Sequence, residues 1–254
     1  MTIRDLYRAL DEMYPRSLSC SWDNDGLMVC ADPDMEVKRV LLALDASNEA
    51  IDYAVKEGCQ VLLTHHPMLF RPLKTLDPDF LSGDRTLTAI RGNLAVMSFH
   101  TRLDAGQGGV NDALCDALGL TAAGCFGDDE APTLGRIAHL PEEMSPEAFA
   151  AHVKQALGCS VVQFAGNRPV KTVAMIGGGG GDFIYAAKAA GADTYVTGDA
   201  GYNITLDAAD DGINIVQAGH YHTEAPVLSR LADLCRRLAG AECLFFDSNP
   251  IKTV

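Results

Sequence analysis

Gly58-Cys59-Gln60-Val61-Leu62-Leu63-Thr64 and Gly191-Ala192-Asp193-Thr194-Tyr195-Val196-Thr197 are two runs of one kind, 133 positions apart. Each is a glycine that stops a helix, followed by a short apolar strand ending in threonine. The strand before each run (39–43 and 171–176) and the helix leading into it (47–56 and 182–190) fit the same offset. Further on, 95–104 matches 215–224 at an offset of 120, the 13-residue change being one longer loop after His66. This alignment pairs His100 with His220 and Asp104 with Glu224. Strands alternating with helices imply an α/β fold. The expectation is a pseudo-duplicated chain of two similar α/β lobes with a metal site in the cleft between them. The acidic loop 124–132 places the boundary, giving an N-terminal lobe 1–125 and a C-terminal lobe 126–254, with no inserted third domain.

The remaining elements follow from periodicity and punctuation. Apolar residues at Ile3, Leu6, Tyr7, Leu10 and Met13 have a helix period, and Pro15 ends it. A polar turn from Cys20 feeds a short strand through Val29. Residues 86–91, 110–118 and 145–157 read as helices, the last with Ser145 as cap and Pro146 at its first position. Residues 94–98, 134–140 and 161–164 read as strands, and 100–104 as a polar loop. The run 213–216 is a strand that hands over, at Gly219-His220-Tyr221-His222-Thr223-Glu224, to an amphipathic run reaching Leu238.

Composition bounds the function. The 254 residues are 48% hydrophobic and carry a formal net charge of −14. That balance argues against a nucleic acid as the main ligand, because phosphate backbones need clustered Lys and Arg. The start lacks the apolar core of a signal peptide, and no run of 18 apolar residues occurs. The expected location is the cytoplasm, with no membrane partner. The eight scattered cysteines, none in Cys-x-x-Cys, then read as reduced core thiols.

Two places concentrate chemistry. His220 and Glu224 lie four apart where a strand meets a helix, and His65-His66-Pro67 sits at another strand end. Imidazole is the commonest nitrogen ligand for Zn, Fe and Mn. With Asp104, the residues His65, His66, His220 and Glu224 make three imidazoles and two carboxylates. Shared by two divalent ions (Zn, Fe or Mn), this set leaves coordination positions for water. The plain alternative for Glu224 is a first-turn residue in a helix that Thr223 caps. His100 and His222 read as partners that orient ligands, as proton carriers, or as exposed loop residues. His139 and His152 stand alone. The Gly177 to Gly181 run is either a phosphate cradle or a tight turn into a helix with Asp182 as cap. It departs from dinucleotide and P-loop fingerprints.

Further motifs run in order along the chain: Trp22-Asp23-Asn24 with Gly26-Leu27, Thr64-His65-His66-Pro67, and His100-Thr101 with Leu103-Asp104. Gly108-Gly109-Val110-Asn111, Thr197-Gly198-Asp199 and Gly219-His220-Tyr221 with Thr223-Glu224 complete the set. In these the sequence resembles the NIF-three-like dinuclear metal centre proteins, often labelled GTP cyclohydrolase 1 type 2 homologues. The resemblance implies two α/β lobes, a two-metal site and a ring-shaped homohexamer. It implies His65, His66, Asp104, His220 and Glu224 as metal ligands, with Glu224 touching both ions. Many members place a histidine soon after Thr-Gly-Asp, where this chain has Tyr202-Asn203. The combined expectation is a metal-dependent hydrolase acting on a nucleotide or phosphorylated small molecule, with His100 as proton carrier. The alternative is a non-catalytic metal-binding or regulatory ring protein.

Overall fold

The computed structural model describes residues 1–254. The chain folds into two compact units, Met1–Leu103 with Leu228–Pro250, and Asp104–Val227 with Ile251–Val254. The division therefore falls elsewhere than at 125/126. The acidic loop lies inside the second unit, where it joins β5 (Ala122–Phe126) to β6 (Gly135–Met144), an antiparallel pair. Its polar composition marks a hairpin connection.

The first unit opens with α1 (Ile3–Met13). Thr2 and Asp5 cap it reciprocally, and Ile3, Leu6 and Leu10 are buried. The unit's sheet contains β1 (Gly26–Val29), β2 (Arg39–Ala43), β3 (Val61–Thr64), β4 (Ala95–Ser98) and β11 (Glu242–Phe245), in the order β1-β4-β3-β2-β11. Strands β2, β3 and β4 are parallel and buried almost throughout, which is why they read as unbroken apolar runs. The helices α2 (Asn48–Lys56) and α3 (Leu81–Arg91) make the crossovers. Ser47 caps α2 by accepting from the Ala50 amide. Val29, Leu41, Ala43, Ile51, Leu62, Ala89 and Val96 form the core.

The next helices are the short α4 (Thr101–Ala105) and α5 (Val110–Ala117). The second unit's sheet adds β7 (Gln163–Ala165), β8 (Val170–Ile176), β9 (Thr194–Thr197) and β10 (Asn214–Gln217), in the order β5-β6-β8-β9-β10-β7. Its helices include α6 (Pro146–Leu157), α7 (Ile184–Ala189), α8 (Tyr202–Asp210) and α9 (His220–Glu224), and α10 (Pro226–Ala239) then returns the chain to the first unit. Ser145 caps α6, and Gly158 at φ 65° ends it. Phe149, Val153, Val173, Met175, Val196 and Val216 pack in the core.

The duplication is real at the level of topology. Three parallel strands in the order β2-β3-β4, with β1 antiparallel to β4, recur as β8-β9-β10 with β7 antiparallel to β10. One detail of the sequence alignment is overturned. The Phe99 amide donates to Thr64, and the Ala218 amide donates to Thr197. Thr64 and Thr197 are equivalent, so Phe99 corresponds to Ala218 and His100 to Gly219, one residue off. His220 is then matched by Thr101, and Glu224 by Ala105. The slip arises because strands buried on both faces lack the alternation that fixes register.

The cysteine reading holds in part. No disulfide joins any of the eight, and Cys59, Cys115, Cys159 and Cys235 are buried, but Cys125 is exposed. Burial pushes the Cys59 and Cys159 thiols up to about 11. No helix is long and apolar enough to cross a membrane.

Candidate metal centre

Parallel strands deliver functional groups at their carboxyl ends, and both units obey that rule. In the first, β2 is followed by Asp45, β3 by His65 and His66, and β4 by His100. Ligand atoms of these three histidines lie within 4.8 Å of one another. His65 is fully buried, and its Nδ1 donates to the Phe99 carbonyl at 2.9 Å. His66 Nδ1 meets Asp45 Oδ1 at 2.8 Å, and the Ser248 hydroxyl donates to the other oxygen of that carboxylate at 3.0 Å. The His66 amide donates to Leu44, and its carbonyl accepts from the Thr64 hydroxyl. His100 Nδ1 meets Asp23 Oδ1 at 2.9 Å.

The stretch 100–104 is a helix start rather than a loop. The reason is tertiary. Asp23 Oδ2 accepts from the Thr101 amide at 3.0 Å and from its hydroxyl at 2.6 Å. Asp25 Oδ2 accepts from the His100 amide at 3.0 Å. Two buried carboxylates from a distant loop thus cap α4, and no local residue signals it. Burial alone would raise Asp23. The hydrogen bonds from His100 and Thr101, and the charge His100 can carry, outweigh it and bring Asp23 to about 2. Asp23 is therefore a carboxylate, an acceptor for His100, at any physiological pH. Arg102 lies beneath, fully buried, with its Nε on Asp25 Oδ2 at 2.9 Å, its Nη1 on the Tyr14 carbonyl at 3.0 Å, and its guanidinium 4.3 Å from the Phe99 ring centre.

The second unit holds Asp104, His220 and Glu224. Asp104 is half-buried on α4, and its carbonyl accepts from the Asn111 side chain at 3.2 Å. His220 opens α9 after Gly219, whose φ of 83° requires glycine. Its Nδ1 meets Asp199 Oδ2 at 2.9 Å, and its Nε2 lies 3.2 Å from Glu224 Oε1. Glu224 is buried. Thr223 is not a cap. It sits inside α9, donates its hydroxyl to main-chain carbonyls of Gly219 or His220, and accepts from the Gly178 amide.

The glycine run resolves as a tight turn. The amides of Gly177, Gly178 and Gly180 donate to Asn111, Thr223 and Thr197, so they are spent inside the protein. Asp182 lies in a 3₁₀ turn (Gly181–Phe183) and caps nothing. Gly178 has φ 66°, and a Cβ there would overlap Glu224 Oε1 and crowd His220 Nε2. Position 178 is glycine because a buried carboxylate approaches the backbone. Gly178→Ala should fold yet displace Glu224 and bind metal as poorly as Glu224→Ala. Elemental analysis after reconstitution checks this, and parental metal content in Gly178→Ala would contradict it.

The donor set fits a divalent metal. In all four histidines Nδ1 faces an oxygen that only accepts in its carbonyl or carboxylate form, so Nδ1 carries the proton and Nε2 the lone pair. This is the ligating tautomer, fixed as in known metal sites. At 3.2 Å, a lone pair on His220 Nε2 and a carboxylate oxygen are satisfied by a shared cation or by an imidazolium. Asp45, which orients His66, stands in no motif of the sequence, and Asp199, which orients His220, stands in one without a role of its own. Their signal was position alone: an acid just past the end of a parallel strand. His222 packs against Tyr221, while His139 and His152 bond Thr172 and the Leu118 carbonyl. Tyr202 and Asn203 are exposed at the start of α8.

Residues 1–250 match the family described as Duf34/NIF3 (NGG1p interacting factor 3). A Clostridium perfringens protein named GTP cyclohydrolase 1 type 2 homolog is 33% identical over 258 aligned positions, covering 99% of this chain and 98% of its own length. A hypothetical protein of Staphylococcus aureus has a crystal structure that superposes with a TM-score of 0.91 at 27% identity, covering 100% of this chain and 99% of its own. Reduced HcgD from Methanocaldococcus jannaschii superposes with a TM-score of 0.83 at 27% identity, over 96% of this chain and 97% of its own.

Proposed function

This chain belongs to the Duf34/NIF3 family, and on that premise we propose that it is a dinuclear metal-dependent hydrolase acting on a nucleotide or phosphorylated small molecule. The observation that carries the proposal is the shared state of four histidines, each with Nδ1 held by a carbonyl or carboxylate oxygen, the partner that orients a metal-ligating imidazole. His65, His66, Asp104, His220 and Glu224 would hold two divalent ions, Zn, Fe or Mn. When bound, such ions supply Lewis acidity and a water activated at neutral pH. The protein's own groups do the rest. Phe99, Asp45 and Asp199 lock the ligand rings. His100 takes a proton at Nε2 and returns it to the leaving group, while Asp23 holds its Nδ1 proton and balances the imidazolium. The relatives' shared name supports a nucleotide as substrate.

Reconstitution with Zn, Fe or Mn should give about two ions per chain, and Glu224→Ala should lose most of that metal, because this one carboxylate would serve both ions. Elemental analysis returning at most one ion in the parent would remove the dinuclear reading. A screen of nucleotides and phosphoesters with loaded protein then tests turnover. A fully loaded but inactive protein would favour the non-catalytic, regulatory reading. The family resemblance also supports a homohexamer, and light scattering at moderate salt should return six copies. A monomer there would defeat the ring.

A further inference from the structure

Trp22 is 55% exposed and Phe70 46% exposed. Single exposed aromatics are ordinary, but these two adjoin each other and the histidines. Their ring centres are 6.0 Å apart, and they lie 6.0 and 6.5 Å from the ring centre of His100. The three rings meet at 55°, 72° and 82°, edge to face or tilted, so no ring is stacked flat on another. The loops that carry them are fixed. Asp23, next to Trp22, is buried against His100 and Thr101, and the Asn24 side chain donates to the Leu69 carbonyl next to Phe70. A rigid apolar surface thus stands in water beside metal-seeking imidazoles.

From this we infer that Trp22 and Phe70 form a stacking platform for a planar heteroaromatic ring, the purine base of a nucleotide, beside the His65, His66 and His100 imidazoles. The inference rests on the proposed nucleotide or phosphoester chemistry of the site and names its substrate class. A nucleotide joins the two features that the surface asks for, a π-face for the aromatic pair and phosphates for a metal-loaded centre. An aliphatic phosphoester would leave both aromatic rings wet. The nearby carboxylates do not offer a rival role, since Asp23, Asp25 and Asp45 are already spent on His100, Arg102 and His66.

The test uses the chain's one tryptophan. In the metal-loaded full chain, GMP should quench Trp22 emission saturably, and ribose 5-phosphate should leave it unchanged. Phe70→Ala, followed by emission, and Trp22→Leu, followed by calorimetry, should each weaken GMP binding by about 5- to 150-fold, the range of one lost base stack, with metal content unchanged. Equal affinity for GMP and ribose 5-phosphate would overturn the platform, and so would GMP binding that leaves emission untouched. Emission that shifts with protein concentration but not with GMP would overturn it too, assigning the surface to a second copy of the chain. The two readings fail separately. Turnover of a non-aromatic phosphoester with silent emission removes the platform and keeps the hydrolase. Saturable GMP quenching without turnover of any substrate keeps the platform and removes the hydrolase.

Discussion

His100→Ala should keep its two metal ions and lose turnover by about 10²–10⁴, the usual worth of a positioned acid–base group. At about 1.36 kcal/mol per factor of ten, that is a barrier increase of about 3–5 kcal/mol. The expectation rests on the ring's surroundings. Its Nδ1 is held at 2.9 Å by a carboxylate that hydrogen bonds keep ionised against the effect of burial, and its Nε2 faces the space shared with His65 and His66. The same geometry suits a ligand, so elemental analysis must accompany the rate. Loss of metal from His100→Ala would make His100 a ligand and shift the proton-carrying role elsewhere. Asp23→Asn is the companion variant. It keeps the size of the side chain and removes the charge that fixes the ring, so it should keep metal and lose part of the turnover.

Arg102→Met should destabilise the protein by about 3–5 kcal/mol, because it strands buried carboxylate charge. Burial works against the Arg102 charge, but Asp11 and Asp25 more than offset it and push its pKa up. Without the guanidinium, Asp25 keeps Arg16 Nη1 at 2.8 Å and the His100 amide, while the link to Asp11 and Tyr14 is lost. Urea unfolding monitored by far-UV circular dichroism measures the loss. Arg102→Met combined with Asp25→Asn should recover part of it. A change below about 1 kcal/mol in the single variant would show that Arg16 alone neutralises Asp25. The sign of the acid dependence follows from Asp23. Its folded value near 2 lies below the ordinary carboxylate value of 3.8. Its contribution is therefore fully present above that ordinary value and is lost as pH falls through about 2.

The sequence by itself determined the repeating α/β plan. Glycine stops, serine caps and short apolar strands are local signals, and β3 and β9 were legible as copies for that reason. It also exposed the strand-end residues His65, His66, His100 and His220 as candidates, since unusual side chains at a strand end need no tertiary information to be noticed. Three things were decided only by the tertiary structure. The register of β4 against β10 was one, because a strand buried on both faces carries no alternation to set it, and a one-residue slip moved His220 from His100 to Thr101. The helical start at Thr101 was another, because its cap comes from Asp23 and Asp25, far away in the chain. The last was the meaning of Gly178, whose missing side chain makes room for Glu224. Composition can show that a backbone is free to turn, but only the fold shows which group turns with it into the same space.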